Sequence, residues 1–375
     1  MRARAVAMSS ALALAVALAG CAAGPATGPR ATLPAPPEST LVPAPIAGPA
    51  QAWRWDAPPL ASVGMPAADA DSVVATFGHV GVVLLGHDGR ERWRSTSVGV
   101  RDVAPLLTAD LVVASTESGM VAFDRRTGEP RWEVELGDRP NTPVAAGGMA
   151  VASTWGGSVI AVDLAGGREL WRRQLPGAAL GPVATDGNVA AVTWEAEGGD
   201  AAGIAAFDGR TGRPTWSAPL PPEGVSSPAL VADRLVVVAG DGSALALDAA
   251  TGAVAWRTAV GGAGSPEVPP LPVGDQVVVA HRLGGLAVLD SRSGRLEWQA
   301  GTGSAAVRGG PGGPLPSGRH ALPLDDGRLM VAGPGGGEIL DPPGMVSGIV
   351  TVGRGVLIVA IAGADQNRLY AISGL

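Results

Sequence analysis

The side chains that most often carry chemistry are sparse in this chain. His79, His87, His281 and His320 fall in four separate stretches, and no HxH, HExxH or Cys/His pairing joins them. A zinc site is therefore not expected. Cys21 is the one cysteine, which excludes an internal disulfide or a Cys-rich metal site. Neither a GxSxG elbow nor a phosphate-binding loop occurs, so nucleophilic and nucleotide chemistry lack their usual scaffolds. The residues suited to gripping a partner are more informative. Trp155 and Trp194 stand near glycines, with Glu195 beside the second, and Glu117, Asn141, Asp241, His281 and Arg282 fall at comparable places. Exposed aromatics beside carboxylates would hold a peptide edge or a glycan. The alternative is that both tryptophans pad gaps between structural units.

Those positions take their meaning from a repeat. From about residue 60 the chain repeats every 39 to 45 residues, with copies at 122–132, 161–171, 206–216, 246–256 and 288–298. In each copy Asp is followed four residues later by Gly and eight later by Trp, as in Asp124, Gly128 and Trp132. An earlier copy ends at Gly89 and Trp93, with Leu85 in the Asp place. An apolar run before the Asp fits a strand. Asp and Gly make a turn, because Asp bonds local backbone and Gly takes positive φ cheaply. The tryptophans Trp93, Trp132, Trp171, Trp216, Trp256 and Trp298 lie on the next strand and are expected to dock on a neighbouring sheet. Two more strands precede each Asp, and four strands per unit of about 40 residues is a propeller signature.

About 77 residues follow Trp298, enough for two degenerate units, with Asp341 where the repeated Asp would fall in the first. The second runs from Gly348 and stops where a fourth strand should begin. Residues 52–57, reading AWRWDA, are expected to supply that strand. The fold expected is all-β, an eight-bladed β-propeller of four-stranded antiparallel blades with the last blade closed by the N-terminal strand. Seven blades is the alternative, if 303–345 form an excursion. The loops between second and third strands would then share one face with the loops joining blades. Glu117, Trp155, Trp194, Glu195, Asp241, His281 and Arg282 belong to the first set and Asn141 to the second.

The beginning of the chain reads differently. Arg2 and Arg4 precede an apolar run that ends in Leu18-Ala19-Gly20-Cys21. This is the layout of a secretory signal peptide over 1–20, and the run is short for a membrane span. It resembles a lipobox, which implies lipidation of Cys21. Residues 21–50 are rich in Pro and Ala and read as a disordered tether, with 51–375 as the propeller. Fully extended, such a tether reaches on the order of 90 Å at about 3.1 Å per residue. The whole chain has 56 Gly and 33 Pro, a net charge of −7, and Arg in place of Lys throughout. No basic stripe appears, so nucleic-acid binding is not expected.

The repeat AxDxxTGxxxW is similar to the tryptophan-docking repeat of propellers of the pyrroloquinoline-quinone (PQQ) type. With the lipoprotein leader and no second domain, the chain most resembles the BamB-type subgroup. The resemblance covers roughly 52–375 and implies structural roles for the docking tryptophans. It also implies a non-catalytic, membrane-tethered binding module outside the cytoplasm, periplasmic or cell-surface, which assists envelope protein assembly as a monomer bound to an envelope protein or peptide. Two alternatives remain open. One is a PQQ-dependent dehydrogenase, whose relatives need calcium, a catalytic carboxylate and, in many members, adjacent cysteines; no PQQ or calcium is expected here. The other is an extracytoplasmic sensor or solute-binding accessory.

Overall fold

The computed structural model describes residues 43–45 and 50–373, apart from 59–60, 79–80, 97–98, 261–267, 282–284, 302–313, 316–317, 343, 353–355 and 364–366. The signal peptide, Cys21 and most of the expected tether lie outside the described residues. Eight separate sheets follow one another along the chain. The first blade is Ala67–Ala68, Ser72–Phe77, Gly81–Gly86 and Glu91–Thr96, each strand antiparallel to the next. Blades two to six repeat this order and end in Pro130–Glu135, Glu169–Gln174, Pro214–Leu220, Val254–Ala259 and Leu296–Gly301. In the fourth, the two short strands Ala178–Ala179 and Ala184–Thr185 share the inner edge of Val189–Glu195.

Burial explains the sequence pattern. Ser72–Phe77 and Gly81–Gly86 are buried at every position, whereas Glu91–Thr96 buries only Trp93. Middle strands lie between two neighbouring blades and therefore read as apolar runs, while outer strands face solvent. The core is accordingly a series of layers between blades. One layer joins Val74, Leu84 and Trp93 of the first blade to Val112, Val121 and Phe123 of the second.

The repeated residues build the joints between blades. Asp124 Oδ1 accepts from the N–H groups of Arg126 and Thr127, both at 2.9 Å, and Gly128 N–H donates to Asp124 O at 2.8 Å. Gly128 has φ 76°, and a Cβ there would sit 2.6 Å from the Trp93 ring. The glycine is thus required twice, by the turn and by the tryptophan lying over it. Trp93 Nε1–H donates to Arg125 O at 2.7 Å, and Trp132, Trp216 and Trp256 donate alike to Leu164, Ala249 and Ser291. Trp171 places its ring on Gly212, but its buried Nε1 has no hydrogen-bond partner. Trp298 instead stacks on His320, with ring centroids 5.9 Å apart.

The ring closes through the N-terminal strand. Ala50–Asp56 pairs antiparallel with Arg368–Ser373 and is the outer strand of the eighth blade. Trp53 then takes the docking role on the first blade, with Nε1–H to His87 O at 2.7 Å and its ring over Gly89.

The seventh blade departs from the pattern. His320–Pro323, Leu329–Gly333 and Gly336–Asp341 form three antiparallel strands. The turn between the first two meets the start of the eighth blade, where Val346 N–H donates to Gly327 O at 3.3 Å. The adjacent Met345 pairs with Ala362, at the end where that blade turns from its second strand to its third. In the regular blades that end carries the turn between second and third strands, where Leu136 N–H donates to Ser118 O and Val260 N–H to Gly242 O as Val346 does to Gly327. His320–Pro323 is therefore the second strand of its blade, with Pro314 bridged to His320 and Leu315 N–H donating to Arg319 O on its inner side. Asp341 ends the outer strand and so does not occupy the place of the repeated Asp, which ends a third strand. Pro43–Pro45 lies outside that outer strand, parallel to Ile339–Asp341. Those three residues, expected in the tether, belong to the sheet.

Candidate functional site

One cluster stands out on the face that holds the turns between second and third strands. It lies between blades two and three. Trp155 sits in the turn after Met149–Ser153 and is 52 % exposed. Its position is fixed from two sides. Its backbone N–H donates to Arg139 O at 3.0 Å, and its Nε1–H donates to Asn141 Oδ1 at 3.2 Å. Asn141 is itself held, its amide donating to Ser153 Oγ at 3.0 Å.

Two guanidinium groups flank the indole. The Arg101 and Arg139 carbons lie 5.0 and 5.7 Å from the ring centroid, within cation–π range. Arg139 Nε is 2.9 Å from Glu117 Oε2. Arg101 Nη1 donates to Pro140 O at 2.5 Å. Burial lowers the pKa of Arg101, and nearby Arg139 adds to that, while Glu117 and Asp138 oppose it. Asp138 anchors the underlying loop, accepting from Arg139 N–H at 2.7 Å and Gly156 N–H at 2.6 Å. Burial alone would raise the Asp138 pKa, but hydrogen bonds from Thr154 and those two N–H groups, with the charge of Arg101, hold it below the usual carboxylate value. The result is a preorganised aromatic platform with a cationic border and one paired carboxylate. Such a surface suits protein recognition, because exposed Trp and Arg held in place lose little entropy on binding.

Glu117, Asn141 and Trp155 of the expected residues come together here. Trp194 does not join them. It packs with the layer formed by Val192, Ala205 and Phe207, and a Cβ on Gly203 opposite it would lie 2.7 Å from its ring. It pads a gap between blades, so the expected exposed pair reduces to Trp155. Glu195 ends a strand in the fourth blade. Asp241 is spent on its own turn, accepting from Ser243 Oγ at 2.6 Å and pairing with Arg257. Of His281 only the backbone, at the end of Gln276–His281, is described, and Arg282 lies outside the described residues. Arg101, Asp138 and Arg139 were missed because the links between blades carry no repeat to mark them. The nearest signal was Asn141 in the same link.

At the opposite end of the blades, a groove of about 1580 Å³ runs across blades one to three, bordered by Asp69, Asp110, Arg125 and Asp163 among others. Arg125 pairs with Asp69 at 2.7 Å and donates to Thr108 O at 2.6 Å, so its charge is already engaged. Among the described residues no three His, Cys, Asp or Glu side chains converge on a metal position.

Comparison with known proteins places these features in a family. A family model described as "Outer membrane protein assembly factor BamB" matches residues 47–181 and 156–312. A protein of that name from Burkholderia pseudomallei is 28 % identical over 193 residues, 47 % of this chain. The chain spans half the length of that curated relative. The solved structure of BamB from Moraxella catarrhalis superposes with a TM-score of 0.65 at 17 % identity, covering 88 % of this chain and 98 % of that one. Quinohemoprotein alcohol dehydrogenase from Comamonas testosteroni superposes with a TM-score of 0.63 at 13 % identity, covering 86 % and 76 %. At such identities both structures speak to the fold alone. Because the two matches of the family model together span residues 47 to 312, well over half of the chain, this chain belongs to the BamB family of outer membrane protein assembly factors.

Proposed function

We propose that this protein is a non-catalytic, membrane-tethered propeller that binds another envelope protein and serves in outer-membrane protein assembly. The observation that carries the reading is Trp155, half exposed yet held by Asn141 and bordered by Arg101 and Arg139. The family name supplies the process, and the surface supplies a means of contact. Catalysis plays no part, and neither PQQ nor calcium is used. Lipidation of Cys21 holds the propeller on the extracytoplasmic side of a membrane, and replacing Cys21 by Ser would release it into the soluble envelope fraction.

The test is capture of the central β-barrel assembly protein from detergent-solubilised envelopes, quantified by mass spectrometry. Trp155→Ala and the double variant Trp155→Ala with Arg139→Glu should keep the wild-type circular dichroism spectrum. They should recover about tenfold less of that protein, the loss expected for one central aromatic anchor worth about 1.4 kcal/mol or more. Undiminished capture by the folded double variant would remove the Trp155 surface from the account.

A further inference from the structure

The second strands of blades two, three and four each carry a buried hydroxyl near their ends, at Ser115, Ser153 and Thr193. Each hydroxyl bonds a backbone carbonyl outside its own strand. Ser115 Oγ donates to Asn141 O at 2.9 Å and Thr193 Oγ1 to Ser226 O at 3.0 Å, both in the link to the next blade. Ser153 Oγ donates to Gly181 O at 2.5 Å, between the two short strands of the fourth blade. Such bonds satisfy buried polar groups and tie one blade to the next. Ser153 does something more. Its oxygen also accepts from the side-chain amide of Asn141 at 3.0 Å.

The proton of Ser153 has one place to go. Gly181 O is a carbonyl and only accepts, so the hydroxyl donates to it and keeps its lone pairs for a donor. Asn141 therefore turns its amide nitrogen towards Ser153, where Nδ2 also reaches Gly181 O at 3.4 Å. Its Oδ1 is thereby aimed at the indole of Trp155, whose N–H only donates. Gly181 is a firm end to this chain of bonds. Leu180 N–H beside it donates to Thr193 O at 3.0 Å. A Cβ on Gly181 would lie 2.9 Å from Ser227 Cβ, so the backbone is packed closely on the next link. The direction of a half-exposed indole is thus set by a hydroxyl that is itself 0 % exposed and cannot touch a partner.

We propose that Ser153 is a positioning residue for the Trp155 surface, acting through Asn141. Without its hydroxyl the Asn141 amide keeps only the 3.4 Å contact to Gly181 O. That carbonyl, left unsatisfied in the interior, draws the amide towards itself and away from the indole. Trp155 then samples directions other than the one held by Asn141. A partner that fits the held direction binds more weakly, in proportion to the fraction of molecules still holding it. The inference rests on the reading that Trp155 meets a partner, and adds to it the buried group that orients the indole.

Two substitutions separate positioning from mere stability. Ser153→Ala removes the hydroxyl, and Thr193→Val removes its counterpart in the fourth blade without touching Asn141. Each leaves one buried carbonyl unpaired, so both should lower the urea midpoint alike. Ser153→Ala should also disturb Trp155. With fluorotryptophan incorporated, the Trp155 fluorine resonance is identified by its loss in Trp155→Ala. It should shift and broaden in Ser153→Ala and stay in place in Thr193→Val. Capture of the β-barrel assembly protein from solubilised envelopes should fall about fivefold for Ser153→Ala, the equivalent of one net hydrogen bond of about 1 kcal/mol. Thr193→Val should capture at the wild-type level. Ser153→Thr, with a hydroxyl of the kind Thr193 carries at the matching place, should restore both resonance and capture. An unchanged Trp155 resonance in Ser153→Ala would overturn the proposal, and so would an equal disturbance in Thr193→Val. Undiminished capture by Ser153→Ala, where Trp155→Ala has lost it, would overturn it too. The resonance is read without a partner, so it judges Ser153 even where Trp155→Ala captures normally, which is failure of the surface itself.

Discussion

Replacing Trp256 by Ala removes one joint of the ring and nothing from the proposed binding surface. The side chain is 8 % exposed and packs among Val231, Val236, Val277 and Leu289. Its Nε1–H donates to Ser291 O at 2.9 Å in the next blade, and its ring lies where a Cβ on Gly294 would be 2.5 Å away. Losing a buried ring of this size costs about 3–5 kcal/mol. Trp256→Phe keeps most of the packing but orphans the Ser291 carbonyl, for a cost of about 1–3 kcal/mol. Trp155→Ala, at a half-exposed position with two solvent-facing cation–π contacts, should cost less than about 1.5 kcal/mol. Urea unfolding followed by near-ultraviolet circular dichroism should rank the three variants in that order. If Trp256→Ala were as stable as Trp155→Ala, the reasoning that docking tryptophans hold neighbouring blades together would be refuted. Equal losses for the Phe and Ala variants at 256 would instead assign the whole effect to the indole N–H.

Two further outcomes follow from the ring's irregular quarter. His320 is buried against Trp298, and burial lowers its pKa below 6.5. Between the ordinary value and the lower folded one, the unfolded chain binds more protons, so stability rises with pH and falls as the solution is acidified through that window. His320→Leu should flatten that part of the profile in urea midpoints measured between pH 7.5 and pH 5. Deleting Ala50–Asp56 removes the eighth blade's outer strand, Trp53, and the 3.0 Å ion pair of Asp56 with Arg368. It should lead to aggregation in gel filtration, because Arg368–Ser373 then becomes a bare edge.

The regular blades were legible in the sequence because each docking joint is local. Asp, Gly and Trp lie within nine residues, and every copy solves the same problem in the same register. The closing strand was legible too, since Trp53 and Trp55 precede the first unit without a repeat of their own. The seventh blade was legible as a degenerate unit, but Asp341 misled, because the turn between its third and outer strands, Gly333 to Gly336, carries no Asp and its outer strand no Trp. Pro43–Pro45 reads as tether because proline argues against a strand, although an edge is where a strand tolerates it. At the candidate site, Trp155 and Trp194 gave the same signal, a tryptophan off the repeat beside glycine. Gly203 across the strand gives Trp194 a hollow to fill, whereas the hydrogen bonds of Trp155 hold it at the rim. Arg101 and Arg139 are visible only once the links between blades have been folded over the indole.

The central claim is that the Trp155 surface meets a partner in the envelope. Site-specific photo-crosslinking in living cells tests it most directly. A benzoylphenylalanine at position 155 should yield an adduct containing a β-barrel assembly protein. The same group at Leu170, exposed on an outer strand of the third blade, should yield none. An adduct to that protein from position 170 and not from 155 would contradict the account.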